Sequence, residues 1–161
     1  PLLQYDFLLE CCKRLKEENI HVAIDTAGIG LGDYSELFDN IDLVLLDIKA
    51  IDRESFIDIT GVDKFEEFMN FISLLNNSGI KVWIRQVIIP GVNDNEDYII
   101  KLSNFIKNNI RNVERVDFLP YHKLGNEKYT KLNIVNPYID KEEMDKNKCD
   151  ILYQLFLKDF K

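Results

Sequence analysis

Apolar residues fall into two spacings along this chain. Phe7, Leu8, Cys11, Cys12 and Leu15 recur every three or four positions, with Lys13, Arg14, Lys16 and Glu17 between them, which predicts an amphipathic helix. Ile20 to Asp25 follows as a short apolar run ending in an acid. The alternation then repeats. Leu43 to Asp47, Lys81 to Ile89 and Val113 to Leu119 are further runs of strand length, the last two closed by Pro90-Gly91 and Pro120. Between them, Phe65 to Leu75 puts Phe65, Phe68, Met69, Ile72 and Leu75 on one helical face. Glu96 to Ile110 does the same with Tyr98, Ile99, Leu102, Phe105, Ile106 and Ile110, and Asp94 or Asn95 serves as its cap. A last helix is expected from Asp140 or Lys141 to Phe160, and Tyr121 to Pro137 reads as a long loop after a strand.

Strands with so few polar interruptions read as buried on both faces. Strands alternating with helices read as a parallel sheet with helical crossovers, an α/β fold. The 161 residues suit one domain, 1–161. Composition agrees: 46% hydrophobic and 30% charged residues describe a globular chain with a core. A net charge of -8 repels a phosphate backbone, so nucleic acid is not an expected partner. No apolar run reaches the roughly 20 residues of a membrane helix. The opening Pro1-Leu2-Leu3-Gln4 has no basic n-region of a signal peptide and reads as a start inside a longer protein. Three cysteines without framework spacing point to a reduced, cytoplasmic protein. Cys11 and Cys12 are neighbours on a helix, about 100° apart; with Cys149 they read as small buried apolar residues.

Candidate chemistry gathers where strands end. Asp25 and Thr26 close the first strand, Asp47 and Lys49 the second, Arg85 lies in the third, and Tyr121-His122-Lys123 follows the fourth. In parallel α/β folds, ligands bind at the carboxyl ends of strands. Each residue also has a plainer reading. Asp25 could cap a helix, Asp47 and Lys49 could form a rim ion pair, Arg85 could bridge two carboxylates, and His122 could be a surface residue. His21, ahead of an apolar strand, reads as structural. Gly28, Gly30 and Gly32 lack the spacing and the lysine of a nucleotide loop, and there is no nucleophile elbow, His-Glu-x-x-His or Cys-x-x-Cys. A Schiff-base role for Lys49 in an aldolase-like barrel is disfavoured, because an acid neighbour favours the ammonium over the free amine.

Four segments carry a family resemblance: Ile24 to Gly28 (Ile-Asp-Thr-Ala-Gly), Asp42 to Lys49, Lys81 to Gly91, and Leu119 to Gly125 (Leu-Pro-Tyr-His-Lys-Leu-Gly). In order and spacing they resemble the glycyl-radical enzyme activating enzymes, a branch of the radical S-adenosylmethionine (SAM) enzymes. Ala27 and Leu45 depart mildly from it, standing where Asn and Met are common. The resemblance implies a partial (β/α) TIM-like barrel, of which this chain holds about four of six parallel strands. It implies S-adenosylmethionine and a 4Fe–4S cluster as cofactors of the full-length protein. A 5′-deoxyadenosyl radical then takes a hydrogen atom from a glycine of the partner, pyruvate formate-lyase or a related glycyl-radical enzyme. Flavodoxin or ferredoxin is the implied reductant. Asp25, Thr26 and Asp47 match positions that hold a monovalent cation near the cofactor's carboxylate. Lys49 and His122 match residues that contact S-adenosylmethionine, and Arg85 faces cofactor or peptide. The cluster-binding CxxxCxxC loop and a Gly-Gly-Glu motif are implied upstream of Pro1. The fragment is therefore expected to bind no cluster and to be inactive. Its first strand is expected to be an exposed edge that invites a homo-oligomer. The alternative is a non-catalytic partner-docking domain derived from the same fold.

Overall fold

A computed structural model describes residues 1–30 and 32–160. The elements are α1 (Tyr5–Glu17), β1 (Ala23–Thr26), α2 (Ser35–Phe38), β2 (Leu43–Asp47), α3 (Arg53–Thr60), α4 (Phe65–Ser78), β3 (Lys81–Ile88), α5 (Glu96–Asn109), β4 (Val113–Pro120), α6 (Asn126–Lys131) and α7 (Lys146–Phe160). Short 3-10 turns cover Leu2–Gln4 and Lys123–Gly125.

The strands form one sheet in the order β1-β2-β3-β4. Ala23 lies opposite Leu43, and Leu43 opposite Lys81, in parallel register. The Val82 N–H donates to the Asn112 carbonyl and the Tyr121 N–H to the Ile88 carbonyl, each at 3.0 Å, so β4 runs the same way as β3. The fold is α/β with parallel strands, as the alternation of runs predicted. A doubly wound sheet reverses its strand order at a switch point. This one does not, which is the sequential order of an arc of a (β/α) barrel.

The chain divides into two compact units: residues 1–86 with 104–117, and residues 87–103 with 118–161. In the first, Ile24, Val44, Leu46, Val82 and Ile84 are buried on the sheet. An aromatic cluster accompanies them. The Tyr34 and Phe71 rings meet edge to face at 5.3 Å, and Phe68 stacks on Phe105 at 6.4 Å. In the second, Phe118 packs against Tyr153 and Phe156 of α7 at 5.4 and 5.2 Å.

Three local expectations change. Strands β1 and β3 are not buried on both faces: even-numbered positions are buried, while Asp25 is exposed and Trp83 and Arg85 are half-buried. The odd-numbered face carries charge, which stays near water or pairs with its neighbours. Helix α7 begins at Lys146 rather than near Asp140. Met144 is held by the Tyr121 carbonyl (2.9 Å), and Asp145 caps the helix by accepting from the Lys148 N–H (2.8 Å). The long loop contains α6. Helix α3 adds a further element, bounded by Asp52, which accepts from the Ser55 N–H at 2.9 Å, and by Gly61 at φ 74°.

Candidate functional site

Parallel register decides which strand-end side chains meet. Asp47 on β2 lies opposite Arg85 on β3, and Asp25 on β1 lies opposite Leu45, two residues before Asp47. Side chains two apart share a face, so Asp25, Asp47 and Arg85 project from the same side of the sheet. Arg85 joins them. Its Nε donates to Asp47 Oδ1 at 2.7 Å, and a terminal nitrogen donates to Asp25 Oδ1. Lys49, two residues beyond Asp47, donates from Nζ to Asp47 Oδ2 at 3.0 Å. The Ile48 N–H donates to the Arg85 carbonyl at 3.0 Å, which extends the ladder past Asp47 and fixes where Lys49 emerges. A continuous chain of ion pairs, Asp25–Arg85–Asp47–Lys49, therefore crosses three strands.

The chain of charges is partly sheltered. Arg85 and Asp47 keep 23% and 24% of their side-chain surface, against 59% for Asp25. Burial alone would lower the Arg85 pKa. The hydrogen bonds it donates to Asp47 and Asp25 outweigh it, and the guanidinium is held above its ordinary value. Two acids and two bases leave the cluster neutral as a whole. The plainer readings of Arg85 as a carboxylate bridge and of Asp47 with Lys49 as an ion pair both describe the observed geometry.

Thr26 sits elsewhere. As the neighbour of Asp25 on β1 it takes the opposite, buried face, and its Oγ1 accepts from the Gly28 N–H at 3.0 Å. Gly28 has φ +70°, and a Cβ there would stand 3.0 Å from Phe71 and 3.2 Å from Phe68. Thr26 thus closes a turn that only glycine fits. His122, in the second unit, is exposed in extended backbone immediately before the Lys123–Gly125 turn. The next residue is anchored, because the Lys123 N–H donates to Glu143 Oε1 at 2.8 Å.

Two features escaped the reading of the sequence. In the second unit, buried Asn93 clamps the loop that leaves β3: its Oδ1 accepts from the Ile89 N–H (2.7 Å) and its Nδ2 donates to the Val87 carbonyl (2.9 Å). Beside it, Asp94 accepts from the Gly91 N–H at 2.8 Å and pairs with Lys148 of α7. Burial raises the Asp94 pKa, but Lys148 and the Gly91 N–H outweigh it and hold the carboxyl below its usual range. The expected cap of α5 is Asn95, which accepts from the Tyr98 N–H at 3.0 Å. In the first unit, the Arg115 guanidinium lies over the Trp83 ring at 5.1 Å and its Nε donates to Asp117 at 2.9 Å. Residues distant in sequence make this second pair, and only the paired strands reveal it.

The cysteines do not fit an iron–sulfur cluster. Cys12 and Cys149 are buried, burial pushes both thiols up, and Cys11 is the direct neighbour of Cys12 on α1. Among the described residues no group of three or more His, Cys, Asp and Glu could hold a metal ion. A monovalent cation is a different case. Asp25 and Asp47 already converge on one cation, the Arg85 guanidinium, so their carboxylates fit a shared ion. Among the described residues no helix is long and apolar enough to cross a membrane.

Parallel strands in unbroken order with charge at their ends match a known superfamily. The family model described as "Radical SAM superfamily" matches residues 1–103, and the chain belongs to that superfamily. Its similarity extends to pyruvate formate-lyase-activating enzymes. It is 52% identical over 147 residues to the one from Clostridium pasteurianum, covering 91% of this chain and 61% of that protein. It is 38% identical over 161 residues to the one from Staphylococcus aureus (strain USA300), covering 96% of this chain and 63% of that protein. The chain thus spans less than two thirds of the curated relatives it matches. Among solved structures it resembles a domain of the pyruvate-formate lyase-activating enzyme from Bacteroides vulgatus ATCC 8482 (TM-score 0.76, 23% identity, 98% of this chain and 88% of that one). It also resembles a radical SAM methyltransferase from Sphaerobacter thermophilus (TM-score 0.67, 14% identity, 96% and 44%). At these identities the structures speak for the fold.

Proposed function

We propose that this chain is the C-terminal part of a glycyl-radical enzyme activating enzyme, one domain of a partial barrel, and that the Asp25–Arg85–Asp47–Lys49 face is its share of the S-adenosylmethionine site. The observation that carries the reading is that continuous ion-pair chain at the strand ends, on a sheet whose sequence matches the superfamily. Bound at a reduced 4Fe–4S cluster, S-adenosylmethionine supplies hydrogen-abstracting chemistry directed at a glycine of the partner, pyruvate formate-lyase or a relative. The residues of this chain bind and orient. The Lys49 ammonium offers the donors that a cofactor carboxylate needs, with Asp47 as its anchor when no ligand is present. Asp25 and Asp47 offset the charge of a monovalent cation beside that carboxylate, and Thr26 shapes the turn behind them. His122 supplies a further contact to the cofactor. Flavodoxin or ferredoxin delivers the electron, and the protein works in the cytoplasm.

The cysteines here supply no cluster, so the 161-residue chain alone is expected to cleave no S-adenosylmethionine. Joined to the unmatched segment of the Clostridium pasteurianum relative and loaded with iron and sulfide, it is expected to produce a glycyl radical on the partner, read by electron paramagnetic resonance. A loaded protein that leaves the partner without a radical would contradict the reading. Cleavage by the unextended chain would overturn the proposed inactivity. β1 is an edge of the sheet, pairing with β2 on one side. The isolated chain should therefore self-associate at high concentration, and light scattering that shows a monomer throughout would remove that part of the proposal.

A further inference from the structure

The two acids of the strand-end cluster are neutralised by the protein's own cations. Arg85 takes one oxygen from each carboxylate, and Lys49 takes the second oxygen of Asp47. Arg85 is on β3 and Asp25 on β1, with β2 between them, so the two side chains together bridge two strand spacings of roughly 5 Å each. Holding a long side chain in one geometry costs conformational entropy, which these bonds offset. The bridge places one positive charge between two carboxylates that would otherwise share Lys49 as their only counter-charge.

Under the functional reading above, on which this inference rests, the same two carboxylates hold a monovalent cation beside a carboxylate ligand. We propose that Arg85 stands in for that cation in the ligand-free chain, and that cation uptake is an exchange in which the guanidinium leaves Asp25 and Asp47. The oxygens it holds are oxygens an ion would need. A cluster that is neutral without ligand has little to gain from a further positive charge. Once the guanidinium moves off, the pair carries an uncompensated negative charge and becomes an oxygen-lined seat for a weakly hydrated monovalent ion. Arg85 thereby sets when the site accepts its ion, and its released fork becomes available to another anion.

Rubidium binding to the 161-residue chain, followed by equilibrium dialysis at constant ionic strength, tests this. Arg85→Gln removes the stand-in and should bind rubidium about tenfold more tightly than wild type. Arg85→Lys keeps the charge on a single ammonium that cannot fork, and should show a gain of about threefold. It also keeps the test open if the glutamine variant folds poorly. Arg115→Gln makes the same charge change elsewhere on this sheet face and should leave binding unchanged. Adding Asp47→Asn to Arg85→Gln should abolish the gain. The exchange is overturned if neither Arg85 variant binds rubidium more tightly than wild type, or if Arg115→Gln gains as much as Arg85→Gln. Because ion binding is read directly, that failure is separable from failure of the activase reading, which is decided by the radical on the partner.

Discussion

Two arginines sit within one unit on adjacent strands and are held in opposite ways. Arg115 pairs with Asp117, two residues along its own strand, rests on Trp83, and keeps 54% of its side chain in water. Arg85 is 23% exposed and bonds to carboxylates 38 and 60 residues away in sequence. The first contact is local and its guanidinium is more than half exposed, the kind that contributes little to stability. The second ties three strands together at the end where a parallel sheet binds ligands. Removing Arg115 would take the partner from one acid, Asp117, whereas removing Arg85 leaves two acids with only Lys49 as counter-charge. The shelter of Arg85 and its long-range connection, more than the presence of an ion pair, set the Asp25–Arg85–Asp47–Lys49 cluster apart from the local pair.

The largest break in that comparison should come from Arg85→Gln. It should lower stability to urea by roughly 1–2 kcal/mol, a figure already reduced for the partial exposure of the acids. Adding Asp25→Asn should recover part of the loss, because the repulsion goes with it. Next comes Asp47→Asn, which weakens the bonds to both Arg85 and Lys49 while keeping shape. A loss of about 1 kcal/mol is expected from its two partners.

Asp94 sharpens the comparison with a second long-range pair, to Lys148, and it carries a pH signature. Its folded pKa is depressed below its unfolded value of about 3.9, so its contribution is complete above that pH and disappears as pH falls through the folded value. Wild type should exceed Asp94→Asn in stability near neutrality, and the two curves should converge in acid, as followed by urea midpoints at stepped pH. The smallest effect belongs to Arg115→Gln, expected within about 0.5 kcal/mol of wild type by the same measurement.

Much of this was legible in the sequence. β2 has the predicted bounds, and α4 and α5 follow the apolar spacing read from Phe65 and Glu96, because long periodic segments state their own structure. The strand-end polar residues were visible as interruptions of apolar runs, and Arg85 as a bridge was one of the readings weighed. Pairing was not legible, since a period of two says which face a residue takes but not which strand lies beside it. Trp83 with Arg115 and Asn93 with its own loop were therefore missed. Helix α3 had its signal in Asp52 and Gly61, but its short apolar face, centred on buried Phe56, gave little periodicity to confirm it. The alternation on β1 puts the Thr26 side chain on the buried face and that of Asp25 on the exposed one, which the period of two states in advance.

The central claim is that the Asp25–Arg85–Asp47–Lys49 face belongs to a cofactor site. The most direct measurement is S-adenosylmethionine binding by the chain joined to the unmatched segment of its Clostridium pasteurianum relative, by equilibrium dialysis, for the parent and for Lys49→Met and Arg115→Gln. The account predicts a loss of at least about tenfold for Lys49→Met, whose ammonium would bond the cofactor's carboxylate, and no change for Arg115→Gln. Equal binding by all three would contradict it and leave the cluster as structural charge pairing alone.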